Sequence, residues 1–193
     1  FGLCIFFMMI SPADPKAVAL MSNYIPVISS PLFHLSLGFL LCCVGFMLCQ
    51  LFLSKPVGFN PAIRFGLISA GWITLVAIAC FFWSYGLMPG VIEGEQYFEL
   101  LFWGGGHVLQ FTHTQIVMVV WLLLMSAALG NDFTTLRRQH ILYVLFALGL
   151  LAALISPYAY LAYDITGSEF RHFFTQKMIA LGGMASGLLA AYV

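Results

Sequence analysis

Tyr97-Phe98-Glu99-Leu100-Leu101-Phe102-Trp103-Gly104-Gly105-Gly106-His107-Val108-Leu109-Gln110-Phe111-Thr112-His113-Thr114-Gln115 opens an apolar stretch that continues without a charge to residue 129. A span of roughly 20 mainly apolar residues is enough to cross a bilayer as a helix, so 100–129 is read as a membrane span with a polar, glycine-rich entrance. Four more stretches meet the same test, at 31–53, 62–88, 140–162 and 172–193, and residues 1–10 fit the tail of a sixth. The breaks between them carry helix-stopping chemistry: Ser54-Lys55-Pro56 with Asn60-Pro61, Met88-Pro89-Gly90, Gly130-Asn131-Asp132, and 164–169 around Gly167.

The fold expected is all-α: a polytopic bundle of about five transmembrane helices, in one domain over 1–193, with the lipid bilayer as its main partner. Composition agrees, since 62% of the 193 residues are hydrophobic, 7% are charged and the mean hydropathy is +1.02. A soluble domain could hardly hydrate such a surface. Seven basic and seven acidic side chains cancel, which gives no basic field for nucleic acid. The five cysteines show no CxxC or Cys/His metal spacing and are read as apolar packing. The chain starts at Phe1 without a signal-peptide pattern and stops at Val193 within an apolar run, so both ends are read as cut.

Positive charge sets the orientation. Lys55, Arg64, Arg137 and Arg138 fall on one side, against Lys16 and Arg171 on the other, where Glu93, Glu95 and Glu99 gather. The 137–138 loop is therefore expected in the cytoplasm, and 100–129 runs inward with His107 in the outer half of the membrane.

Three consecutive glycines each cost about 1 kcal/mol relative to alanine in a helix, so something large is expected to approach the backbone at Gly104, Gly105 and Gly106. A neighbouring helix and a planar cofactor both qualify. An ionisable residue within a span is functional by default, and neutral imidazole is the commonest transition-metal ligand, which makes His107 the candidate ligand. His113 points about 120° away on the same helix. With Glu99 at the outer mouth and Thr175 and Lys177 at the entrance of the last span, it is a candidate for a proton route or polar lining. The Ser156-Pro157 step is expected to kink the fourth span, and Tyr158 and Tyr160 to lie in an interfacial aromatic belt. No nucleophile elbow, phosphate loop, dinucleotide fingerprint or HExxH is present.

Phe102-Trp103-Gly104-Gly105-Gly106-His107 resembles the sixth helix of the catalytic subunit of haem-copper oxidases and the related nitric oxide reductases, in which an aromatic, glycine-rich entry precedes a histidine that binds the non-haem metal. The resemblance implies that His107 holds copper or non-haem iron, and that the five spans are the fourth to eighth helices of a subunit with twelve or more. The haem ligands would then lie on helices outside 1–193. It also implies reduction of oxygen or nitric oxide, an electron donor such as a c-type cytochrome or quinol, other subunits of a respiratory complex, and a bacterial inner membrane. Two features depart from the pattern. Phe111 stands where many oxidases have a tyrosine, and Ile155-Ser156-Pro157-Tyr158-Ala159-Tyr160 stands where the family carries two adjacent histidines. Either His172 or Asp164 substitutes for them, or the metal site is degenerate. The alternatives are a transporter or channel with a His/Lys-lined pathway, and a structural membrane subunit.

Overall fold

The computed structural model of the protein describes residues 2–10, 18–20, 27–54, 59–129 and 136–192. They form eight α-helices: α1 (Gly2–Ile10), α2 (Pro31–Leu53), α3 (Pro61–Leu87), α4 (Gly94–Leu129), α5 (Leu136–Leu154), α6 (Pro157–Ala162), α7 (Ser168–Lys177) and α8 (Gly183–Tyr192). A π-helical turn, Met178–Gly182, joins α7 to α8. The only strands among the described residues are two-residue pieces, β1 (Ala19–Leu20) and β2 (Val27–Ile28), paired antiparallel. Pro31–Leu53, Pro61–Leu87, Gly94–Ala128 and Gln139–Ala162 are long and apolar enough to cross a membrane. The protein is an integral membrane helix bundle. The fifth expected span is helical from Ser168 to Tyr192 but is divided by the π turn.

Helix boundaries follow local chemistry. Pro31, Pro61 and Pro157 each occupy a first helical position, where a missing N–H leaves no bond unmade. Asn60 caps α3 by accepting the Ala62 N–H at 2.9 Å. The third span starts as a helix at Gly94, six residues before its apolar stretch, because hydropathy marks the lipid-compatible part while the helix continues through polar residues. Gly94 allows the turn into it, with φ at +65°, and Glu95 complements the positive end of the helix dipole.

Pro157 breaks the fourth span as expected. It has no N–H for the Ala153 carbonyl, which instead accepts the Ser156 N–H at 3.0 Å, and the Ser156 hydroxyl donates to the Ala152 carbonyl at 3.4 Å. The freed acceptors are thereby satisfied, as a lipid environment requires. The breaks expected at Lys55-Pro56 and at Gly130-Asn131-Asp132 lie outside the described residues, as do Lys16 and Lys55 and the side chains of Arg137 and Arg138 on which the orientation rests.

By internal contacts the chain divides into two units. Phe1–Ser54 with Pro89–Glu99 contains α1 packed on α2, and Cys4 of α1 is buried. Lys55–Met88 with Leu100–Val193 contains α3 packed along α5, α5 along α8 and the π turn, and α6 against α3 and α7. Two cores fill this second unit. One centres on Phe111, Tyr160, Phe170 and Phe174, the other on Met118, Leu142, Phe146 and Leu189.

Candidate functional site

His107 lies on α4, half-buried, beside the first of these cores. Its Nδ1 is 2.8 Å from the Trp103 carbonyl, one turn back. A carbonyl only accepts, so Nδ1 carries the proton and Nε2 holds the lone pair. That is the tautomer in which a histidine binds a metal, its other nitrogen oriented by a backbone carbonyl. The ring lies 4.8 Å from Trp103 and 6.1 Å from Phe174, centroid to centroid.

The close approach expected at the glycines is made by the protein itself. A Cβ on Gly105 would stand 2.9 Å from the Ala77 carbonyl oxygen and 3.3 Å from the Phe81 nitrogen, so α3 crosses there at backbone distance. A Cβ on Gly104 would run into the Tyr160 hydroxyl and lie 2.9 Å from its Cζ. Of the two open possibilities, a helix with a tyrosine takes the space that a planar cofactor would need at these two positions. Gly106 is half-buried beside them.

Tyr160 differs from the expected interfacial residue. It is 6% exposed, stacks on Trp83 at 5.3 Å, and shares a 2.9 Å hydrogen bond with Ser84, while Tyr158 is 57% exposed. Burying a phenol in a bundle requires a partner for its hydroxyl, and Ser84, itself fully buried, is that partner.

Lys177, expected as polar lining at the entrance of the last span, lies close to this centre. Its side chain is half-buried and its ammonium donates to the Ser156 hydroxyl. The nitrogen lies 4.7 Å from the centroid of Phe174, 4.8 Å from Phe173 and 5.9 Å from Phe111. Each is within cation–π range. Phe174 thus touches both His107 and Lys177, and the ammonium is within electrostatic reach of the imidazole.

The other expected residues do not join this centre. His113 is exposed, whereas its neighbour Thr112 faces inward, 3.1 Å from Thr74 of α3. Gln115 is fully buried and donates to the Phe146 carbonyl at 2.7 Å. These are interhelical contacts. Thr175 bonds the Arg171 carbonyl of its own helix at 3.0 Å, and Glu99 is half-buried two turns before His107. His172 is exposed. Asp164, also exposed, accepts from the Thr166 N–H and hydroxyl, both at 2.8 Å, and these bonds hold its carboxyl below the usual carboxylate range. Among the described residues no three His, Cys, Asp or Glu side chains gather as a metal site. His107 offers one nitrogen donor, the Cys80 thiol is buried in the adjoining core, and the charged neighbour is a cation. The described residues therefore do not fit a second metal.

Sequence could not have paired Lys177 with Ser156 or Tyr160 with Ser84, 21 and 76 residues apart. Each residue alone carried a signal, since a lysine and a phenol within apolar helices both need partners.

No family model and no solved structure matches the chain. An uncharacterized protein of Rickettsia prowazekii (strain Madrid E) is 30% identical to it over 170 residues, which is 85% of this chain and 33% of that protein. The chain spans about a third of the length of the curated relative that it matches.

Proposed function

We propose that the chain is part of the catalytic subunit of a membrane respiratory oxidoreductase built on the helix plan of the haem-copper oxidases and nitric oxide reductases. The observation that carries the proposal is the aromatic, glycine-rich entry Phe102-Trp103-Gly104-Gly105-Gly106 that leads to the half-buried His107 on a 36-residue helix. A relative about three times as long as the matched stretch is consistent with a subunit of twelve helices or more, and a bacterial relative with a bacterial inner membrane.

Haem, held by residues outside this chain, supplies one-electron transfer and the place where oxygen or nitric oxide is reduced. A c-type cytochrome or a quinol is the donor, with other subunits of a respiratory complex as neighbours. The residues present here would shape the space beside it. Trp103 orients His107, the close fit of α3 on Gly105 and of Tyr160 on Gly104 excludes water, and Lys177 holds a positive charge within the bundle. The copper or iron expected at His107 finds no group of three His, Cys, Asp or Glu ligands among the described residues.

The test is a reduced-minus-oxidised optical spectrum of the complete protein in detergent. Haem bands are expected. A colourless protein would overturn the proposal and leave a transporter with a His/Lys-lined pathway, or a structural subunit.

A further inference from the structure

We infer that Lys177 takes the place of the second metal: its ammonium, held by Ser156 and caged by Phe111, Phe173 and Phe174, is the resident cation beside His107, and the centre binds no divalent ion. This rests on the proposed helix plan for where a metal would stand.

Three observations converge. First, Ser156 and Pro157 occupy the stretch in which the resembled family carries two adjacent histidines, and the Ser156 hydroxyl accepts from the Lys177 ammonium. The side chain that a ligand would replace is already committed to a cation. Second, the cage has the right chemistry for that charge. Three phenyl rings lie within 6 Å of the nitrogen, and their negative faces stabilise an ammonium that is half-buried there. Third, the π turn Met178–Gly182 follows Lys177 directly, with the Met178 N–H shared between the Phe174 and Thr175 carbonyls. Such turns occur frequently at functional sites.

A dication on His107 would share the surroundings of Phe174 with this ammonium, inside a bundle where like charges repel far more strongly than in water. Among the described residues no group of three His, Cys, Asp or Glu side chains stands there to offset that repulsion. An internal lysine keeps one positive charge near the centre without requiring a ligand set.

The experiment uses the complete protein in detergent and Zn2+ alone as the probe, retained metal being counted after dialysis. The wild type is expected to retain no stoichiometric zinc, and to carry no copper or iron beyond its haem. Ser156→His restores one imidazole but leaves the ammonium, and is expected to bind zinc weakly. Combining it with Lys177→Gln, or with Lys177→Met should the glutamine variant not elute as a single species, is expected to tighten zinc binding by about tenfold or more, a change of about 1.4 kcal/mol.

A wild-type protein holding one non-haem metal that His107→Ala removes would overturn the inference. So would equal zinc affinity with and without Lys177. Absence of haem from the same preparation would sink the redox proposal alone, because the zinc comparison does not depend on haem.

Discussion

Around Phe146, helices α3, α4, α5 and α8 meet through Ala62, Ile63, Met118, Val119, Leu122, Leu142, Leu145, Ala185 and Leu189, and two fully buried polar side chains nearby are tied to backbone carbonyls, Gln115 to that of Phe146 and Ser69 to that of Gly66. Around Phe174, in the same unit, apolar residues of similar kind enclose Ser84, Tyr160, Ser156 and Lys177, with His107 beside them. In lipid, apolar contact gains little over the acyl chains it replaces, so helices hold together through close packing and satisfied polar groups. The first core does this without a charged side chain, although among the described residues the buried Gln115 Oε1 accepts no hydrogen bond. The second carries a cation whose desolvation a methionine would avoid, which points to a use for the lysine other than stability.

The contrast is broken most forcefully at Phe146. Its ring fills the space against Gly66, where a Cβ would lie 2.6 Å from two of its atoms. Phe146→Ala should leave a dry cavity and cost about 3–5 kcal/mol, read as a lower unfolding midpoint in detergent. The retained-zinc comparison at Ser156 should be unmoved. A loss well under 1 kcal/mol would mean that this core is not tightly packed.

The corresponding change in the other core is Gly104→Ala. The new methyl would run into Tyr160 and stand 3.3 Å from Phe174, an overpacking worth about 1–3 kcal/mol. It should also disturb the Trp83–Tyr160 stack, visible in near-ultraviolet circular dichroism. Adding Tyr160→Phe removes the hydroxyl that the methyl meets and should recover part of the loss, although Ser84 then loses its partner at a cost of about 1 kcal/mol. If the double variant is less stable than both single changes combined, Tyr160 is not what confines Gly104.

How far each core was legible in sequence follows from the range of its determinants. Helix limits at Pro31, Asn60-Pro61 and Pro157 are set by residues adjacent to the break, and apolar length alone delimits the spans. His107 stood out because imidazole is rare in such a setting. Tyr160 was assigned to an interface because its burial depends on Ser84 and Gly104, on two other helices. Nothing in Met178-Ile179-Ala180-Leu181-Gly182 signals a π turn, since it depends on how Lys177 and the following helix pack. Gly182 hints at it only in hindsight: a Cβ there would run into Met178 and lie 3.4 Å from Phe111.

The smallest expected effect lies at the edge of the second core. Ile165, 3% exposed, is a member of it, and its loop is held by Asp164, which accepts two bonds from Thr166 while its own carbonyl accepts the Gly167 N–H at 2.9 Å. The carboxyl titrates below its ordinary range because the Thr166 N–H and hydroxyl favour the charged form. A group with a depressed folded-state pKa stabilises above its unfolded value and loses that contribution as pH falls through the folded one. Exchange protection of the Thr166 amide should therefore be constant near neutrality and decline in acid, below the usual carboxylate range, while amides of the Phe146 core stay unchanged. Asp164→Asn keeps an acceptor oxygen and removes the titration, so its protection should be lower but flat with pH. Equal acid sensitivity in that variant would show that another group drives the opening and that the loop does not anchor the second core through Asp164.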